Sequence, residues 1–318
     1  MKIPFITFLA VGAATVLAGS ASVCPRSNNA HASGAALQKI LDYKKSDHQI
    51  MAAYFRSWRD IASDPAQNKA SMDDLPDCLD IAFVFPQGDE PDAFYTALKD
   101  RYVPALRSRG TKVVRTISIA ALLDEKYAND PRGHEALATH LLDTYVNAHG
   151  LDGLDVDFEN TLTASQLSQA SGVFAALSKS LGPQSGTGKL LIFDTNQDGT
   201  APLFRAVHPY VDYVLVQSYG RRVSGTQGTF NTYKPYISSR QYLIGFSFPE
   251  EHGAAWGDVT PPMRTSRAYQ YAQWQPSGAR KGGVFSYAVD RDGKVEGDDA
   301  LAPTNYTWTR ELIAAMNP

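Results

Sequence analysis

The sequence predicts an α/β fold, a single (β/α)8 barrel of the TIM type, and three observations carry that prediction. Eight short apolar runs of strand length recur along the chain. Segments with helical spacing lie between them, the alternation expected of strand-helix units. No Gly-rich phosphate loop follows the first run, which argues against the alternative of a doubly wound open sheet.

A leader rich in Ser, Asn and Ala extends to about residue 35. The first run is Gln49–Phe55, leading into Arg56-Ser-Trp-Arg59. The second is Leu79–Phe85, stopped by Pro86, and the third is Lys112–Ile119. Leu151–Glu159 is the fourth, Leu190–Thr195 the fifth and Tyr213–Tyr219 the sixth. Tyr242–Phe248 and Gly283–Ala288 complete the eight. Between them, Pro91–Arg109 carries Phe94, Leu98, Tyr102 and Leu106 at four-residue intervals and closes on Gly110, a C-cap signal. His134–His149 repeats the pattern before Gly150, and Ser165–Leu181 repeats it before Gly182. No shorter internal repeat or low-complexity segment interrupts the series, so one domain is expected over residues 41–318.

The fourth run, Leu151-Asp-Gly-Leu-Asp-Val-Asp-Phe-Glu-Asn160, is chemically distinctive. Side chains alternate faces along a strand. The spacing therefore puts Asp155, Asp157 and Glu159 on one face, and Leu154, Val156 and Phe158 on the other. Successive acids are roughly 6.6 Å apart and repel one another, a cost that points to a catalytic carboxylate cluster. A solvated Asp-rich loop gives no reason for an apolar residue at every intervening position. The Asp-x-Asp-x-Asn/Asp-Gly calcium pattern is missing.

The 318 residues are 43% hydrophobic, enough for a large core, and 20% charged with a formal net charge of -3. No basic patch suggests nucleic acid, and no like-charge block suggests a disordered tail. The 16 Tyr, 14 Phe and 4 Trp are compatible with stacking on sugar faces, although a packed core uses aromatics too. Lys2, the apolar run Ile3–Ala18 and the small residues Gly19-Ser20-Ala21-Ser22 read as a secretory signal peptide over residues 1–22. Cleavage is expected near Ala18 to Ser22, or later after Ala30-His31-Ala32, and residues 23–40 read as a leader or linker. The run is too short for a comfortable membrane span. A lipid anchor on Cys24 is the weaker alternative, because Val23 stands where a lipobox wants a small residue. Only Cys24 and Cys78 can form a disulfide, so a disulfide framework is not expected to hold the fold. His31, His48, His134, His140, His149, His208 and His252 show no metal-ligand spacing, and no metal is expected.

Barrel chemistry gathers at the C-terminal ends of the strands. Candidates there are Tyr54, Arg56 and Trp58 at and after the first run, Phe85 at the end of the second and Glu159 on the fourth. Asn196 follows the fifth, Gln217 and Tyr219 share the inward face of the sixth, and Tyr287 lies on the eighth.

Asp152-Gly-Leu-Asp155-Val-Asp157-Phe-Glu159 resembles the Asp-x-x-Asp-x-Asp-x-Glu motif of glycoside hydrolase family 18, matching it at all four acids. That resemblance covers essentially the whole mature chain. It implies a glycosidase without cofactor that hydrolyses N-acetylglucosamine linkages. Glu159 would be the acid and then the base, and Asp157 would orient the substrate's 2-acetamido group. Asp155 would tune Asp157, Asp152 would shape the start of the strand, and Tyr219, with Gln217 beside it, would donate to the acetamido oxygen. The acetamido group would itself be the nucleophile, with net retention, as this family is a substrate-assisted exception among retaining glycosidases. Crowding of the acids is expected to raise the proton affinity of Glu159.

Three readings divide the family. Gln217-Ser-Tyr219-Gly220 resembles the Gln-x-Tyr of endoglycosidases that cut the chitobiose core of N-glycans, and so does Tyr54-Phe-Arg-Ser-Trp-Arg-Asp60. Many chitinases instead carry a Trp on strand eight, where this chain has Tyr287, and a long insertion between strands seven and eight that is not evident here. Non-catalytic, lectin-like members lose the acid, which Glu159 retains. The expectation is therefore a secreted, monomeric endo-β-N-acetylglucosaminidase acting on glycoproteins, with a chitinase as the alternative and a glycan-binding protein as the remote one. Asn305-Tyr-Thr307 is a glycosylation sequon that matters only in a eukaryotic producer.

Overall fold

The computed structural model describes Cys24 and residues 31–318, so the expected signal segment lies outside the described residues. Eight parallel strands close into a barrel in sequence order, each bonded to the next and the last to the first. They are β1 Ile50–Arg56, β2 Ile81–Phe85, β3 Lys112–Ser118, β4 Gly153–Phe158, β5 Leu190–Thr195, β6 Tyr213–Gln217, β7 Tyr242–Ser247 and β8 Gly283–Tyr287. All eight expected runs become strands, with each end shifted by no more than two residues.

Around them lie α1 Gly34–Lys45, α2 Asp92–Ala97, α3 Val103–Ser108, α4 Pro131–Leu141, α5 Ala164–Leu177, α6 Pro202–Val207, α7 Thr226–Tyr233, α8 Arg267–Gln273 and α9 Thr307–Met316. The expected helix Pro91–Arg109 is α2 and α3 joined by a π turn, Leu98–Tyr102. A strict four-residue spacing outruns the 3.6-residue turn, so an α-helix alone would rotate its stripe away from the core. The wider i→i+5 turn takes up that drift. Phe94, Leu98, Tyr102 and Leu106 all end up fully buried. Helix α4 continues the same way through Leu142–Asn147 before Gly150 at φ +67°. Helix α5 starts with a capping box between Thr163 and Gln166.

Strand alternation sorts the core into two compartments. Outward residues such as Phe55, Val84, Val113 and Val156 pack under the helices. Inward residues fill the barrel: Ala52, Tyr54, Ile81, Phe83, Val114, Ile192, Leu215, Leu243 and Phe285. The inward position 245 is a glycine because a Cβ there would lie 2.3 Å from the Phe285 ring. This apolar plug seals the barrel, so inward polar groups of β4, β5 and β6 collect only above it.

Helix α1 runs across residue 40, where the leader was expected to give way to the domain. It packs at the N-terminal ends of the strands, and its Lys44 Nζ donates to Leu79 O and Thr111 Oγ1. Cys24 is bonded to Cys78, just ahead of β2, across a sequence separation of 54. Closing a loop of that size restricts the unfolded chain, so Cys78→Ser is expected to lower stability by about 4 kcal/mol on the chain-entropy account. An unfolding free energy from denaturant titration lowered by less than about 1 kcal/mol would refute that contribution. Among the described residues no helix is long and apolar enough to cross a membrane.

Candidate active site

A pocket of about 430 Å³ opens at the C-terminal ends of the strands. Its walls include Asp157 and Glu159 from β4 and its end, Asp194 from β5, Gln217 and Tyr219 from β6 and its end, and Tyr287 from β8. Tyr54, Phe85 and Asn196 join them, so eight of the eleven expected site residues line one cavity. Asp155 lies directly beneath, completely buried.

The floor is a hydrogen-bonded acid cluster. Asp155 Oδ2 accepts from the hydroxyls of Tyr54 and Thr116, each at 2.9 Å. Gln217 Nε2 bridges two acids, at 3.2 Å to Asp157 Oδ1 and 2.9 Å to Asp194 Oδ2. Above the floor Glu159 is exposed to the pocket, and Asn196 Nδ2 donates to its Oε2 at 3.0 Å. Tyr219 stands opposite, its ring tilted against Trp256 and Tyr287. Phe85 meets Tyr54 and Tyr287 edge to face, which gives the pocket an aromatic side.

Electrostatics divides these acids by depth. Burial, then the charge of Asp157, raises the Asp155 carboxyl far above the usual range, against the pull of the Tyr54 and Thr116 hydroxyls. Asp157 is raised by burial and then by the charge of Glu159, with Gln217 opposing. Asp194 is raised by burial and then by Asp155 and Asp157. Crowding raises the buried acids, where desolvation adds to like-charge repulsion. Burial also pushes the Tyr219 hydroxyl well up, so it stays protonated as a donor.

Two expected substrate-binding residues are placed elsewhere, and one acid of the β4 motif is structural. Arg56 is 1% exposed, with its guanidinium taken up by Asp290 at 2.6 Å, Glu251 at 2.8 Å and Glu250 at 3.1 Å. Three carboxylates from the loops after β7 and β8 outcompete the pocket for it. Trp58, in the turn Ser57–Arg59, stands behind Phe85 and under the Arg56 cation, away from the cavity wall. Asp152 holds the bottom of β3, where its Oδ2 accepts from Val113 N and its Oδ1 pairs with Arg107.

Sequence reading missed Asp194, Arg221, Glu250, Ala254 and Trp256, which also line the pocket. Asp194 carried a signal, a lone acid with inward parity in the apolar run of β5. The others sit on loops without periodicity. The segment 248–266, read as holding no long insertion, supplies Glu250, Ala254 and a 43% exposed Trp256 to one wall. Glu250 accepts from the Tyr287 hydroxyl at 3.1 Å.

The family model described as the endo-beta-N-acetylglucosaminidase EndoS TIM-barrel domain matches residues 53–286. Endo-beta-N-acetylglucosaminidase F2 of Elizabethkingia meningoseptica is 42% identical over 289 residues, covering 89% of this chain and 86% of that protein. The apo crystal structure of an endo-beta-N-acetylglucosaminidase from Cordyceps militaris superposes with a TM-score of 0.91 at 66% identity, over 93% of this chain and 100% of that one. A mutant of the Cordyceps militaris enzyme, in complex with fucosyl-N-acetylglucosamine-Asn, matches at 65% identity with the same TM-score and coverage.

Proposed function

The chain belongs to glycoside hydrolase family 18 as an endo-β-N-acetylglucosaminidase, and from that premise we propose that it is exported and cuts the β-1,4 bond between the two core N-acetylglucosamines of N-glycans. The observation that carries the reading is the vertical division of the acids: one exposed carboxyl, Glu159, above a floor of more deeply buried ones, Asp155, Asp157 and Asp194.

In the proposed reaction Glu159 gives its proton to the glycosidic oxygen as the bond to the anomeric carbon breaks. The substrate's acetamido oxygen attacks that carbon, forming a cyclic oxazolinium-type intermediate. Asp157 accepts a hydrogen bond from the acetamido nitrogen and opposes its positive charge, while the Tyr219 hydroxyl donates to the acetamido oxygen and orients it. Glu159, now a carboxylate, takes a proton from water, which opens the ring with net retention. Asn196 holds Glu159 in place for both steps, and Gln217 holds Asp157. Phe85, Tyr287 and Trp256 offer faces and edges on which sugar rings can pack.

The ligand of the Cordyceps militaris complex is the stub that such a cut leaves on a fucosylated asparagine. That enzyme's 65% identity over 93% of this chain supports core-fucosylated N-glycans among the substrates. Export is supported by the Cys24–Cys78 bond, which persists in oxidising compartments and leaves no free Cys24 sulfur for a lipid thioether. Signal cleavage then falls ahead of Cys24.

The test offers the protein an N-glycosylated substrate and a chitin oligosaccharide side by side. The expected product is a glycoprotein retaining one N-acetylglucosamine, or fucosyl-N-acetylglucosamine, per site. Chitobiose release alone would overturn the reading in favour of a chitinase. Glycoprotein bound without any change in glycan mass would leave only a binding role.

A further inference from the structure

A second cavity, a groove of about 540 Å³, lies next to the active pocket between the segments that follow β6 and β7. The two share a wall. Arg221 and Trp256 line the pocket, and the residues next in sequence, Arg222 and Gly257, line the groove. Consecutive Cα atoms are about 3.8 Å apart, so one thickness of chain separates the two cavities.

That wall is held as a unit. Asp258, 1% exposed, accepts from Gly220 N at 3.1 Å and from Ser247 N at 3.0 Å, which ties the end of β7 to the turn after β6. Its Oδ1 also accepts from Arg267, whose Nη1 donates to Trp256 O at 2.7 Å. Gly220 makes room for the indole, because a Cβ there would stand 3.0 Å from Trp256 Cε3. Trp256 is therefore backed by Gly220 and still largely open to solvent. An indole fixed in this way offers a sugar ring an apolar surface without first having to be ordered.

Charge divides the two cavities. Asp157, Glu159, Asp194 and Glu250 line the pocket, whereas no carboxylate lines the groove. Arg221 is taken up by Asn196 O, and Arg267 by Asp258. Arg222 is exposed and makes no hydrogen bond or ion pair with any described residue through its side chain. A guanidinium without a partner, in a groove without acids, suits a carboxylate, which it can meet with two parallel N–H donors.

We propose that the groove is a secondary glycan site, in which a branch of the substrate crosses Trp256 and lays a terminal acidic sugar against Arg222. The assignment rests on the N-glycan reading above and deepens it, since a branched glycan too large for the pocket leaves over one of its walls. Trp256 strengthens the binding of any branch that takes this path. Arg222 sets a preference for branches that end in a carboxylate.

The test uses a biantennary N-glycan on a single asparagine, with and without terminal sialic acid. Calorimetric binding to Glu159→Gln reads the groove without turnover, while cleavage of the neutral glycan by the wild type reads the N-glycan assignment separately. The acidic glycan is expected to bind roughly fivefold more tightly at low salt, with the preference fading as salt rises. Adding Arg222→Gln removes that preference, and Arg222→Lys keeps part of it. Trp256→Ala weakens both glycans by roughly tenfold, and in the otherwise wild-type enzyme it raises KM more than it lowers kcat. Equal affinities for the two glycans would overturn the proposal, as would a preference that survives Arg222→Gln. A preference shown only by intact glycoprotein would put the carboxylate on the carrier polypeptide, and would overturn it too.

Discussion

Glu159→Gln is expected to leave a folded barrel whose turnover is lower by at least roughly a hundredfold, equivalent to about 2.7 kcal/mol of transition-state stabilisation. The fold should survive because Glu159 is exposed and the bond it accepts from Asn196 Nδ2 can be accepted equally by a glutamine oxygen. Under the proposed reaction the chemistry should fail, because an amide can neither deliver a proton to the leaving oxygen nor take one from water. The buried acids are not placed to substitute: Asp155 is completely buried beneath the pocket, and Asp157 is tied to Gln217. The measurement is kcat and KM on a glycoprotein, alongside a melting curve. Near-normal turnover by a correctly folded Glu159→Gln would remove this residue from the reaction.

Arg56→Met is expected to destabilise the protein by roughly 3–5 kcal/mol, the range for removing one partner of a buried ion pair. Arg56 is 1% exposed, and Asp290 and Glu251 are nearly as deeply covered. Burial alone would lower the affinity of the guanidinium for its proton, but Asp290 and Glu251 reverse this and raise it. Glu251 feels the same pairing: burial would lift its carboxyl, yet Arg56 and Arg291 bring it down to about 2. Without Arg56 the carboxylates of Asp290, Glu251 and Glu250 face one another, with Arg291 and the more distant Arg59 left to hold Glu251. Activity should fall as well, since Glu250 reaches from this cluster into the pocket and anchors the Tyr287 hydroxyl. Denaturant unfolding decides it, and a loss below about 0.5 kcal/mol, the level of an ordinary surface substitution, would contradict the account.

Much of this molecule is legible in its amino-acid sequence. Strands of a closed parallel barrel are covered on both faces, so each is an apolar run that stands out from its surroundings. Polar interruptions within such a run are informative for the same reason. Asp155, Asp157 and Glu159 could be placed on one face by parity alone, and Gln217 by the same rule. Parity fails at the ends of strands. Arg56 has the inward parity of Tyr54, but carboxylates from two distant loops decide its direction. Trp58 lies in a turn, where no period fixes a side chain. Trp256 and Glu250 come from the irregular segment after β7, whose path depends on packing rather than on local pattern. Even within a helix, the four-residue stripe of Phe94 to Leu106 was readable while the π turn that accommodates it was not named by any residue.

Both ends of the described chain are fastened to the same side of the barrel. Asn317 exchanges hydrogen bonds with Gln49 ahead of β1 and with Tyr43 of α1, and Cys24 is joined to Cys78 ahead of β2. The pocket opens on the opposite side. A carrier domain, a cell-surface tether or a solid support attached at either terminus would therefore hold the molecule by its back. The mouth would stay turned outward, with the attachment out of the path of an approaching glycan.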